Sequence, residues 1–262
     1  MKRTSRHVWW LIPLALLTAI FLLVPLAALA GHVSWRAFGQ AWTNGGAAAL
    51  RTSLVSSVVA LVVILVFGTP LGWLLARRDS AFWRMVEYLM LIPLLMPPLV
   101  IGLLLVFFYG PYGAIGAVLT KFGWTATNSL LAVVLAEIYE AMPYYVFSAQ
   151  AAFSQVDTGL ERASLLLGAS PAETMRRITL PLALPGLSVG FAMAFARAIG
   201  AFGAVIVMAY YPNTLPVRVW IALQEQGLPA ALPLAVFLLL AALPLPLVAV
   251  LWRRGRHAPR LL

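Results

Sequence analysis

Six stretches of this chain run for about 20 residues or more with almost no charge, near 9–30, 50–76, 85–109, 129–153, 183–209 and 231–252. A helix rises about 1.5 Å per residue, so a run of that length crosses the roughly 30 Å hydrocarbon core of a bilayer. Composition agrees: 63% of the 262 residues are hydrophobic and 10% are charged, whereas a soluble domain carries about 25% charge to coat its surface. The sequence therefore predicts an all-α integral membrane protein with six transmembrane helices, in one transmembrane domain over 1–262.

A net charge of +10 would suit nucleic acid if the bases lined one amphipathic face. They sit instead in short clusters beside the apolar runs, the pattern of the positive-inside bias, so the expected surroundings are membrane lipid and not nucleic acid. With the N-terminus inside, Lys2, Arg3, Arg6, Arg77, Arg78, Arg84, Arg162, Arg176, Arg177, Arg253, Arg254, Arg256 and Arg260 fall in the cytoplasm. Only Arg36, Arg51, Lys121 and Arg218 fall outside, so both termini are expected in the cytoplasm. The basic head and Ala-rich end of residues 1–31 resemble a signal peptide. Its apolar run is about twice the usual length for such a peptide, which predicts an uncleaved first helix. The absence of cysteine excludes disulfides, thiolate metal sites and cysteine nucleophiles.

Two spans carry signs of irregularity. The third contains "LIPLLMPPLVIG", where Pro97 and Pro98 are expected to kink or open the helix. Such breaks survive in a membrane only where neighbouring helices or a water-filled cavity satisfy the freed backbone groups. The fifth, rich in Gly and Ala, allows close helix approach. Ionisable residues inside spans are costly and face a partner or water. The candidates well inside a span are Glu137 and Glu140, which share a helix face at i and i+3, and Arg197. Either the two acids neutralise Arg197, or Arg197 lies near an anion pathway that they tune.

One polar segment interrupts this apolar chain: "LERASLLLGASPAETMRRITLPLALPGL", residues 160–187. Thr158 with Glu161, and Ser170 with Glu173 around Pro171, read as capping boxes. They predict two short helices near 159–167 and 171–178, joined at Gly168-Ala169, with Arg176 and Arg177 at the negative end of the second. Leu160, Leu165, Leu166, Leu167 and Met175 make the segment amphipathic. It either lies on lipid headgroups or docks on another protein.

Glu161-Arg162-Ala163, Gly168 five residues beyond Ala163, then Ile178 and Leu180-Pro181 together resemble the EAA loop of binding-protein-dependent ABC importer permeases. Two features depart: Arg162 stands where that pattern has alanine, and four residues, not three, separate Ala163 from Gly168. "RTSLVSSVVALVVILVFGTPLGWLLARRD", "LIPLLMPPLVIG" and "FARAIGAFGAV" are similar to the family's second, third and fifth helices, so the likeness covers about 45–250. The resemblance implies that Glu161, Ala163, Gly168, Ala169, Ile178, Leu180 and Pro181 form a coupling element that contacts a separate cytoplasmic ATPase. It also implies a periplasmic binding protein, and a second permease copy or a paralogue to complete the pathway, all at the bacterial inner membrane. Transport would proceed by alternating access, with ATP and Mg bound by the ATPase and no cofactor in this chain. The chain lacks G-x-x-x-x-G-K-[ST] and HExxH patterns, which argues against an ATPase or a zinc protease.

The run from Phe195 to Ala204 resembles the fifth-helix signature of sulfate and molybdate permeases, Phe-x-Arg-x-x-Gly-Glu-Phe-Gly-Ala. Arg197, Gly200, Phe202 and Gly203 match, and Ala201 replaces the glutamate. With Pro97 and Pro98 these are the candidate pathway residues, and the implied substrate is an oxyanion of the sulfate, molybdate or tungstate kind. Phosphonate, iron(III) and thiamine importers share similar ends. A stand-alone secondary transporter or channel is the alternative from another class. The stretches 31–48, 110–128 and 210–228 are expected outside the membrane, with Trp35, Trp42, Trp124 and Trp220 as interfacial anchors.

Overall fold

The computed structural model describes residues 11–257, and every regular element among them is helical. Lys2, Arg3, Arg6 and Arg260 of the charge argument, and the start of the first expected span, lie outside the described residues. In chain order the helices are α1 (Leu11–His32), α2 (Trp35–Ala41), α3 (Ala47–Arg77), α4 (Ala81–Leu95), α5 (Pro98–Tyr109), α6 (Gly116–Lys121) and α7 (Leu130–Ser154). They continue with α8 (Thr158–Leu166), α9 (Pro171–Thr174), α10 (Leu180–Ile199), α11 (Gly203–Met208), α12 (Leu215–Gln226), α13 (Leu228–Ala242) and α14 (Pro244–His257). Among the described residues, five helical stretches are long and apolar enough to cross a membrane, and the α4–α5 pair makes a sixth if the two are one broken span.

The expected spans fall on these helices with three instructive differences. The third is not one rod: α4 and α5 meet at 114°, because Pro97 and Pro98 each lack an N–H and restrict the residue before them to extended backbone. Met96 accordingly has ψ 137°. The fifth begins earlier and stops sooner than expected. It runs unbroken from Pro171 to Ile199 and gives way at Gly200, so 203–208 is a separate short helix. The stretch 210–228, expected only to lie outside the membrane, holds α12, which ends at Gly227 with φ +81°.

The continuity of α9 and α10 has a local cause. Pro181 has no N–H to return to the preceding turn, so the helix widens for one turn at Met175–Thr179 and Leu180 N–H bonds to the Met175 carbonyl. One widened turn keeps the helix going where a proline would otherwise end it. Arg176 and Arg177 therefore sit mid-helix, not at a helix end, and Arg177 lies 3.7 Å from Glu173 one turn earlier.

The core is built around α7, held between α3 and α10. Glycines set both approaches. A Cβ on Gly72 of α3 would stand 2.7 Å from the Ala149 Cβ, and one on Gly186 of α10 would stand 2.5 Å from the Ala152 Cβ. Neither contact leaves room for even a methyl group, so α7 touches both neighbours backbone to backbone. Ile64, Tyr145, Phe153, Leu187 and Phe195 fill the remaining space. By contrast α1 exposes its apolar side chains along almost its whole length.

Candidate functional site

Two constellations gather the candidate residues. The first lies at the end of the bundle where α3 stops and α8 to α10 begin. Asp157, not Thr158, caps α8, with its carboxylate accepting from Gly159 N–H at 2.7 Å. Glu161, assigned by sequence to a capping box, does something else. Its Oε1 accepts from Arg77 Nη2 at 3.0 Å and from Thr179 Oγ1 at 2.7 Å, tying α8 to the end of α3 and the root of α10. An arginine brings a full positive charge to this carboxylate, where a local backbone N–H brings only a dipole, and the pair is well withdrawn from water. The second capping box is formed as expected, with Ser170 Oγ taking Glu173 N–H and Glu173 Oε2 taking Ser170 N–H.

Gly168 sits at the tip of the turn with φ +87°, and nothing lies within 4 Å of where its Cβ would be. Its requirement is conformational: left-handed backbone strains other residues. Around it Leu166 and Leu167 are 88% and 89% exposed, and Ala163 is exposed beside them. Ala169 and Ile178 are half-buried, while Leu180 and Pro181 are exposed on the root of α10. The tip thus presents bare apolar side chains, while Glu161, Thr174 and Thr179 face inward.

The second constellation lies in the membrane-spanning core, where two broken helices face each other. A Cβ on Gly203 would stand 2.5 Å from the Pro98 Cβ, and one on Gly102 would stand 3.0 Å from Ala204 Cα, so α5 and the start of α11 are in backbone contact. Pro98, Phe202 and Gly203 therefore meet, with the Phe202 ring 5.6 Å from that of Trp220. Trp220, expected as an interfacial anchor, packs against this break as well as reaching the surface. Pro97 caps α5 and Gly200 ends α10, each exposed or partly so.

Glu140 closes the break. Its Oε1 accepts from Ala204 N–H, one of the amides left free where α11 starts, at 3.2 Å. Its Oε2 lies 2.5 Å from Arg197 Nη2, with the glutamate side chain fully buried and the arginine 30% exposed. One carboxylate thereby satisfies a helix N-terminus and an intramembrane cation, as interrupted helices in hydrocarbon require. Where the resembled signature has a glutamate, Ala201 is buried and apolar, and the acid comes from α7 instead.

Glu137, grouped with Glu140 by its helical spacing, does not pair with Arg197. It turns toward α3, where its Oε1 accepts from Ser56 Oγ at 2.7 Å and Ser57 Oγ at 3.3 Å. Ser53, one turn earlier, accepts from Leu215 N–H at 2.8 Å and so pins the start of α12. Adjacency at i, i+3 places two residues on one face but leaves some 60° between them, enough here to send one to α10 and the other to α3. Sequence reading missed this seam, although Ser53, Ser56 and Ser57 at i, i+3 and i+4 in an apolar helix mark a buried polar stripe. It missed Arg77 and Thr179 too; the signals were an arginine ending a span and a hydroxyl inside the motif spacing. Among the described residues no group of three or more His, Asp or Glu is placed to hold a metal ion.

Comparison with known proteins places this geometry. Residues 68–256 match the family described as "Binding-protein-dependent transport system inner membrane component". The chain is 39% identical over 220 residues to a probable molybdenum ABC transporter permease protein of Haloferax volcanii, covering 84% of this chain and 80% of that one. It is 33% identical over 208 residues to the molybdate/tungstate transport system permease protein WtpB of Pyrococcus abyssi, covering 79% and 78%. In fold it is similar to a chain of a bacterial alginate ABC transporter solved with an alginate-bound periplasmic protein, with TM-score 0.72 at 18% identity over 95% of this chain and 96% of that one. This chain belongs to the binding-protein-dependent transport system inner membrane components, as the permease subunit of an ABC importer.

Proposed function

We propose that the chain forms half of a translocation pathway for a tetrahedral oxyanion of the molybdate, tungstate or sulfate kind. A second copy or a paralogue completes the pathway, a periplasmic binding protein delivers the anion, and a separate pair of ATPase subunits powers the cycle. The relatives named for molybdenum and for molybdate/tungstate support the substrate class. So does Arg197, a cation partly open at a helix break with its Nε unpartnered.

The observation that carries the proposal is the turn at Gly168. It exposes Leu166 and Leu167 at the tip of α8 while α9 runs without interruption into a membrane span. An apolar tip on a rigid stem suits docking on a partner that pushes, and it sits among Arg77, Arg78, Arg162, Arg176 and Arg177, as a cytoplasmic end should. On this reading Glu161, Ala163, Gly168, Ala169, Ile178, Leu180 and Pro181 form the ATPase-coupling element of a single permease domain with cytoplasmic termini. Arg197, Gly200, Phe202, Gly203, Pro97 and Pro98 border the pathway.

The test is purification of the tagged chain from its native membranes in mild detergent, with partners identified by mass spectrometry. An ATPase and a periplasmic binding protein that binds molybdate, tungstate or sulfate in calorimetry are the expected outcome. A binding protein that takes phosphonate, iron(III) or thiamine would overturn the substrate class. Recovery of the chain without an ATPase would overturn the coupling assignment.

A further inference from the structure

Arg77 lies outside the EAA spacing, as the last residue of α3. Its Nη2 donates to Glu161 Oε1 at 3.0 Å and to the Val156 carbonyl at 3.2 Å, in the joint between α7 and α8. Thr179 Oγ1 donates to the same glutamate oxygen at 2.7 Å. One carboxylate oxygen therefore links three elements: the end of α3, the body of α8 and the root of α10. The pair is well withdrawn from water, with side chains 13% and 16% exposed, so it is screened far less than a surface ion pair.

The other ties of α8 run elsewhere. Ser164 Oγ and Thr174 Oγ1, 3.0 Å apart, join α8 to α9, which is already continuous with α10. Among the described residues, Arg77 makes the polar bond from α8 to α3. A force applied at the apolar tip reaches α10 through an unbroken helix, whereas the polar link from α8 to α3 is one guanidinium beside the Trp73 side chain. Since α3 and α10 are the two walls that grip α7 at Gly72 and Gly186, moving one wall without the other would shear the contacts to Ala149 and Ala152.

We propose that Arg77 is a positioning residue for ATP-driven transport, latching α8 to α3 so that both walls of α7 move together. This inference rests on the coupling role proposed above. With the latch intact, displacement of α8 tilts α3, α7 and α10 as one block. Without it α10 follows the ATPase and α3 lags, so ATP is spent without a complete opening.

The experiment uses the whole transporter, with ATPase and binding protein, reconstituted in vesicles with molybdate as the probe. It reads ATP hydrolysed per anion taken up. Arg77→Gln and Arg77→Glu are expected to assemble and hydrolyse ATP, while ATP consumed per anion rises about tenfold, the scale of a typical coupling between sites. Arg77→Lys, which keeps a positive charge beside Glu161, is expected to retain most of the coupling. Wild-type stoichiometry in Arg77→Gln and Arg77→Glu would overturn the proposal. So would equal loss of assembly, hydrolysis and uptake in Arg77→Gln with Arg77→Lys no better, which is how a purely structural staple behaves.

Because the chain has no cysteine, Arg77→Cys with Glu161→Cys gives a second reading in one sample. The reduced form is expected to be uncoupled, and a short thiol cross-linker is expected to recouple it. A cross-linked form that remains uncoupled would overturn the latch. Absence of ATP-dependent uptake by the unmodified chain would instead overturn the functional reading on which the latch rests.

Discussion

Gly168 and Arg197 show how differently two candidate residues are constrained. Gly168 has open space around its Cβ position but a φ of +87°. Gly168→Asn should therefore retain most uptake, since Asn visits the left-handed region, while Gly168→Val should lose it with membrane insertion intact. Normal transport by the valine variant would contradict the assignment. Arg197 is constrained by a buried partner. Removing one member of a buried pair strands the other, at a cost of about 3–5 kcal/mol, so Arg197→Met should lower the thermal midpoint measurably. Adding Glu140→Gln should return most of that loss, because the amide oxygen still accepts from Ala204 N–H. Transport by this double variant then separates the two roles. Uptake near wild type would mean that Arg197 is structural, and uptake lost from a stable protein would place it on the anion pathway.

At the scale of elements, the helices were legible because hydrocarbon demands long apolar runs, and the turn was legible because Ser170, Glu173, Pro171 and Gly168 each carry a local conformational signal. Their tertiary use was not. Glu161 fits a capping box by spacing, yet an arginine 84 positions away takes it, and no local rule anticipates a partner from another span. The same holds for Glu137 and Glu140, which share a face but diverge to Ser56 and Arg197. The second short helix, expected to stop near 178, continues through a widened turn at Met175–Thr179 ahead of Pro181, since a single missing N–H is absorbed without breaking the helix. This stiffness makes a prediction for the α7 grip. Gly186→Leu would drive a side chain into Ala152, and overpacking typically costs about 1–3 kcal/mol, so the yield of folded protein should fall sharply. The equally apolar change Leu182→Ile, at an exposed position of the same helix, should have little effect. Equal yields would show that α7 and α10 do not approach as closely as described.

For the whole molecule, the arrangement reads as a lever and a hinge region. The lever is the α8 tip on the continuous α9–α10 stem. The hinge region is the pair of breaks at Met96-Pro97 and Gly200–Phe202, held together by Pro98 against Gly203 and capped by Glu140. Breaks of this kind are tolerated in a membrane because neighbouring groups keep their free amides satisfied. The exposed apolar length of α1 and the outer faces of α4 and α5 suit lipid or a second permease chain, as half of a pathway requires.

The most direct measurement is uptake of labelled molybdate into vesicles holding the chain with its ATPase, with binding protein outside and ATP sealed within. The account predicts uptake that needs both ATP and binding protein, and that persists when ion gradients are collapsed. Uptake driven by an ion gradient without ATP would contradict it.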